Sequence, residues 1–310
     1  MTSLSQRLIN AYAAKRAYKT QLGIADESFW DWAVTRKHFG RARLPWWPYP
    51  IGCRVTDHPE ANVPYWEFTP RGGATDRRTV LFFHGGTWMF KFSTLQVLFV
   101  AIICRGAGVT VRVPRYPLLP KADGRGYRDG IMRAWRECLA DGISPEDVIV
   151  MGDSAGGHAG LSLYQMLRHD GARQPGRYIL ISPSTDLASK PDARALALEK
   201  IDPVIALAST PVIGRKIAAD LPVDDPRVSP ALGDYDGCPP IDMFAGELEV
   251  MRLGVEYIVE RWGDVAPVRA HIGRGCIHDW PTFPTKEGHV AVAAILDIMN
   301  GGGPDRRPRP

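Results

Sequence analysis

From residue 64 to residue 299 the chain alternates short apolar runs with longer stretches of helical spacing. Residues 79–83, 109–113, 148–151, 178–181, 241–244 and 268–272 are compact apolar runs of strand length, and 65–68 reads as a further strand. Between them the 3.6-residue spacing predicts helices over 94–105, 127–139, 158–168, 250–262 and 289–299. Strands alternating with helices predict an α/β architecture, a mostly parallel central sheet with helices on both faces.

The alternation breaks twice. Residues 187–235 hold helical pieces at 193–200 and 211–220 among prolines and aspartates, with no strand pattern, and read as an insertion. The head of the chain is helical in spacing over 3–20, with Leu4, Leu8 and Tyr12 on one side and Gln6 elsewhere, and again over 27–38. Leu44-Pro45-Trp46-Trp47-Pro48-Tyr49-Pro50 then forbids a helix and predicts an extended connector. The expected organisation is a helical head and connector over 1–63 and a core over 64–300 interrupted by 187–235. A Gly- and Pro-rich tail over 301–310 is expected to be flexible. Head and insertion are both candidate lids, and ordinary packing explains the four tryptophans of the first fifty residues equally well.

Composition narrows the classes. The 310 residues are 45% hydrophobic and 23% charged, with a net charge of +4 and both signs interspersed. That is a globular surface without the clustered basic face a nucleic acid needs, so no nucleic-acid partner is expected. The apolar run from Leu95 to Cys104 is too short to span a bilayer and reads as a buried helix, so no integral membrane segment is expected. Cys53, Cys104, Cys138, Cys238 and Cys276 are odd in number and widely spaced, with no C-x-x-C pair for zinc or redox chemistry. These features, with a head lacking a signal-peptide core, predict free thiols and a cytoplasmic location.

The chemistry centres on Gly152-Asp153-Ser154-Ala155-Gly156-Gly157, set between a predicted strand and a predicted helix. That context turns G-x-S-x-G into a strained elbow that lifts a serine hydroxyl above the sheet edge. A serine needs a base, and a carboxylate behind that base. Of the eight histidines, His278 lies in a turn just after the last predicted strand. His84 reads as a clamp for its own loop, His271 as packed or paired within a strand, and His158 as pointing along the helix after the elbow. Glu249 and its competitor Glu247 follow the 241–244 strand, and Asp202 and Asp264 are less well placed. His84-Gly85-Gly86-Thr87-Trp88 follows the 79–83 strand and can turn N–H groups toward a developing anion, with the N–H of Ala155 as a second arm.

These motifs resemble those of the hormone-sensitive-lipase-like family of α/β-hydrolase serine esterases: His84-Gly85-Gly86, the elbow hexapeptide, Gly246-Glu247-Leu248-Glu249 and Ile277-His278, in that order. The resemblance covers roughly residues 64 to 300 and implies an α/β-hydrolase fold with cap helices from residues 1–50 and 187–235. It implies a Ser154–Glu249–His278 triad, with Gly85, Gly86 and Ala155 framing the oxyanion hole. Two positions depart from the family. Thr87 stands where a third glycine is usual, and Glu249 where aspartate is usual.

The reading that follows is a serine hydrolase that cleaves a small carboxylic ester through an acyl-enzyme, with no cofactor and no metal. A natural-product deacetylase, lactonase or amidase would use the same residues. A non-catalytic member that binds a small ligand, or a protein that uses its Trp-rich head as an interface, are the readings from other classes. A homodimer is left open.

Overall fold

The computed structural model describes residues 2–15, 19, 22–35 and 52–301. The 44–50 connector, residues 36–38 of the predicted second helix and the tail beyond residue 301 lie outside the described residues. Eight strands form one sheet in the order β1-β2-β4-β3-β5-β6-β7-β8. They are β1 (Cys53–His58), β2 (Tyr65–Pro70), β3 (Thr79–Phe83), β4 (Thr110–Pro114), β5 (Val148–Asp153), β6 (Arg177–Ile181), β7 (Ile241–Gly246) and β8 (Val268–Gly273). β1 and β2 run antiparallel to their neighbours. The six strands from β3 to β8 are parallel to one another.

Each predicted strand and helix of the core is present. β1 is an addition. Its sequence, Cys-Arg-Val-Thr-Asp-His, has no apolar run because it lies at the edge of the sheet with only Cys53 fully buried. The sheet separates two hydrophobic layers. On one face α3 (Thr94–Ala107) and α9 (Lys286–Met299) pack Val97, Phe99, Val100, Ile295 and Ile298 against Phe82, Met151 and Ile179. On the other, α4 (Gly124–Leu139), α5 (Ala155–His169) and α8 (Arg252–Trp262) pack Tyr127, Trp135, Leu161, Leu163 and Ile258 against Leu81, Val150 and Leu180. β5 and α5 are buried along almost their whole length, so the two elements that flank Ser154 are held by close packing in the core.

The insertion folds into α6 (Ala193–Ile201) and α7 (Thr210–Ala218), without a strand. At the head stand α1 (Leu4–Lys15) and α2 (Ser28–Val34). α2 buries Phe29, Trp30 and Ala33 in the core. α1 reverses the face its spacing suggests: Leu4, Leu8 and Tyr12 are exposed, whereas Gln6 is buried. The cause is polar docking on the start of α9. Thr285 Oγ1 donates to Gln6 Oε1 at 2.9 Å, and the Ser3 N–H and O–H both donate to Glu287.

Candidate active site

β5 ends at Asp153 and α5 begins at Ala155, so Ser154 alone makes the turn, with φ 53° and ψ −118°. Two glycines make this possible. A Cβ on Gly156 would stand 1.9 Å from the Phe83 carbonyl oxygen, and one on Gly152 would stand 2.4 Å from that of Gly156. Gly156→Ala is therefore expected to cost about 3 kcal/mol or more of stability, because the atom it meets is backbone of the adjacent strand. Urea unfolding measures this, and a midpoint equal to the unsubstituted protein's would show that the elbow opens easily.

The sheet brings Ser154, His278 and Glu249 together although they lie far apart in sequence. Ser154 Oγ lies 2.9 Å from Nε2 of His278, and Nδ1 of the same ring donates to Glu249 Oε2 at 2.6 Å. Glu249 is fully buried. Its Oε1 accepts from Ser182 Oγ at 2.8 Å and from the N–H of Gly246. Glu247 is directed elsewhere: its Oε2 accepts from the Gly275 N–H at 2.6 Å and ties the loop that carries His278 to the end of β7. Burial pulls His278 down, but the negative charges of Asp279, Glu249 and Asp202 outweigh it and hold the imidazole up at about 10. Asp202 lies in the insertion. It accepts from the Val204 and Ile205 N–H groups and, through Oδ2, from that of Val250 at 2.9 Å, which fastens the insertion to the Glu249 loop.

Beside the elbow lies the turn after β3. Here one expectation is corrected. The N–H of Gly85 donates to Asp153 Oδ1 at 2.9 Å and is not available to an anion. Asp153 is buried and accepts from Gln96 Nε2 as well, so a carboxylate inside the elbow motif fixes the backbone of the glycine loop. Among the described residues the N–H groups of Gly86, Thr87 and Ala155 have no intramolecular acceptor. Thr87, the departure from a third glycine, has φ 52°, and Trp88 has φ 58°. A β-branched residue in the left-handed region is strained, and the strain sits beside Ser154. Trp88 is held in place by donating to His158 Nδ1 at 3.3 Å. His158 is fully buried and bonds through Nε2 to the Val228 carbonyl of the insertion at 2.9 Å. It therefore does not point along its helix but pins loop and insertion together, and burial pushes it down to about 4. His84 is likewise pushed down to about 4 by burial, and its Nδ1 bonds to the Gly85 carbonyl within its own loop. His271 bonds through Nε2 to Asp242 at 2.9 Å and stacks on Phe244.

A cavity of about 550 Å³ opens beside Ser154. Thr87 and Trp88 form one wall, Leu187, Ile205 and Ile213 of the insertion another, and Val250 and Tyr257 a third. Leu22 of the head reaches it too. Among the described residues no helix is long and apolar enough to cross a membrane, and no group of three or more His, Cys, Asp or Glu side chains is arranged to hold a metal ion.

The chain is similar to known proteins in sequence and in fold. A family model described as alpha/beta hydrolase fold matches residues 80–282. LipR of Mycobacterium tuberculosis, which bears the name acetyl-hydrolase, is 31% identical over 194 residues, 63% of this chain and 62% of its own. An esterase of Acinetobacter venetianus is 28% identical over 180 residues, 57% of this chain and 59% of its own. The chain thus spans less than two thirds of the length of these relatives. Among solved structures, the hormone-sensitive-lipase homologue EstE7 from a metagenome library superposes with a TM-score of 0.79 at 19% identity, covering 97% of this chain and 99% of its own. That likeness is one of fold.

Proposed function

This chain belongs to the alpha/beta hydrolase fold family, and from the geometry of its site we propose that it is a serine hydrolase that cleaves small carboxylic esters. The observation that carries the proposal is the unbroken line from Ser154 Oγ through both nitrogens of His278 to the buried carboxylate of Glu249. In this reading His278 takes the Ser154 proton as Oγ attacks the ester carbonyl. The N–H groups of Gly86, Thr87 and Ala155 receive the oxyanion, and the dipole of α5 adds to their field. His278 returns the proton to the leaving alcohol, and water attacks the acyl-enzyme through the same base. The side chains of Asp153 and His158 hold the loop that carries these donors. The apolar cavity beside Ser154 receives the organic part of the substrate, and the insertion and Leu22 form its cap.

The names of LipR and of the Acinetobacter protein support an ester substrate, and that of LipR favours an acetyl ester of a small molecule as a narrower reading. The five buried free cysteines support a reducing, cytoplasmic setting. Hydrolysis of p-nitrophenyl esters from acetate to long chain tests the proposal. A maximum at short to medium chain length is expected from a cavity of about 550 Å³. Absence of turnover along the whole series, with the protein folded, would remove the carboxylesterase reading.

A further inference from the structure

His278 has a carboxylate on each side. Glu249 holds Nδ1, and on the opposite edge Asp279 Oδ2 lies 3.5 Å from Nε2, the nitrogen that also faces Ser154. The backbone sets this up. Asp279 has φ 60° and ψ 24°, a left-handed turn that folds its side chain back onto the ring of the residue before it. Its N–H donates to Ser182 Oγ at 2.9 Å, and Ser182 Oγ donates on to Glu249. Main chain and side chain of Asp279 thus close a loop around the imidazole.

The carboxylate itself has little to satisfy it. Its side chain is 21% exposed, and Oδ1 is shut off from water with no hydrogen-bond partner. A buried, unpaired carboxylate oxygen is costly and calls for an explanation. Four carboxyl groups gather here, which are Asp279, Glu249, Asp153 at the end of β5 and Asp202 of the insertion. Lys19 reaches main-chain carbonyls of Glu199 and Asp202 on the insertion side. His278 is the titratable base that these groups surround.

We propose that Asp279 is a positioning residue that acts through His278: its carboxylate stabilises the proton on Nε2 and so sets the pH above which the base is free to take the proton of Ser154. The proposal rests on the reading of Ser154, His278 and Glu249 as the catalytic set. An imidazolium has no lone pair at Nε2, so Ser154 is activated only after that proton leaves to solvent. An opposite charge within 4–6 Å in a water-poor site favours the charged form. The charge of Asp279 is among the influences that hold His278 above its ordinary value, beside the hydrogen bond and the charge of Glu249. Burial, with Asp153 and Glu249 adding to it, pushes the Asp279 carboxyl up in turn, against the pull of His278.

The test uses two variants. Asp279→Asn keeps the shape and the left-handed turn, and Asp279→Gly removes the side chain where glycine is the residue best suited to φ 60°. Both keep the N–H that binds Ser182. With histidine labelled in ¹⁵N, and the His278 signal identified by its loss in His278→Gln, the titration midpoint of the ring is expected to fall by about 1 to 2 pH units in both variants. The acidic limb of kcat/KM should move down with it, while kcat/KM on the alkaline plateau stays within a few-fold. An unmoved midpoint would overturn the proposal, as would a loss of kcat/KM that is equal at every pH. If wild type cleaves no ester, the imidazole titration still decides the role of Asp279, and the esterase reading fails separately.

Discussion

Replacing Ser154 by alanine is expected to lower kcat toward any ester the protein cleaves by about 100,000-fold, with the fold intact. The two halves of that expectation have separate causes. Chemistry is lost because no other hydroxyl lies within reach of Nε2; Ser182 donates to Glu249 and is turned away. Stability is kept because alanine bears the same Cβ at φ 53°, so it adds no strain, and the elbow is held by contacts that do not involve Oγ. The Ser154 N–H donates to the Ile181 carbonyl at 2.8 Å, and Gly152 and Gly156 keep strand and helix in contact. Residual hydrolysis above the uncatalysed rate would come from the unpaired N–H groups of the glycine loop and from binding. Initial rates for both proteins, compared at equal melting temperature, provide the check. Turnover within ten-fold of wild type would mean that another group performs the attack.

The second largest effect is expected from Glu249→Gln, a loss of about 1,000- to 10,000-fold in kcat. The two substituent atoms of residue 249 face different partners. At Oε1 the Ser182 O–H and the Gly246 N–H both donate, so an amide must place its oxygen there. Its NH₂ then points at Nδ1 of His278, which must accept rather than donate. The ring proton is forced onto Nε2, and the nitrogen facing Ser154 can no longer take a proton. Geometry and volume are nearly unchanged, so the loss should appear in kcat with KM little altered. Glu249→Asp should be less damaging, because a carboxylate remains and only its reach is shortened. An activity of Glu249→Gln within a few-fold of wild type would show that the carboxylate does not set the state of the ring.

How far the sequence reached depends on how local the physics is. The order of strands and helices is legible because parallel strands buried on both faces are written as unbroken apolar runs, as in Val148-Ile149-Val150-Met151. β1 is not, because an edge strand buries little, and its register comes from pairing with β2. The face of α1 reads wrongly from its apolar spacing, since Ser3 and Gln6 dock it through polar contacts with Glu287 and Thr285, 284 and 279 residues away in the chain. The elbow motif and its neighbours were visible as short motifs at predicted strand ends. Which N–H of the glycine loop is free was not, because that depends on Asp153 reaching across to Gly85, although Asp153 stands inside the motif itself. Asp279 and His158 carry no sequence signal of their roles. A left-handed turn at residue 279 and a bond from His158 to the insertion exist only once the sheet has brought the loops together.

If Ser154 is the nucleophile, a phosphonate ester with a good leaving group traps it covalently. Incubation with a p-nitrophenyl alkylphosphonate should release one equivalent of p-nitrophenol per chain and add one phosphonyl group to the peptide that contains Ser154, as read by mass spectrometry after proteolysis. The Ser154→Ala and His278→Gln variants should remain unlabelled under the same conditions. Stoichiometric labelling of another residue, or labelling of Ser154→Ala at the wild-type rate, would mean that Ser154 is not the nucleophile.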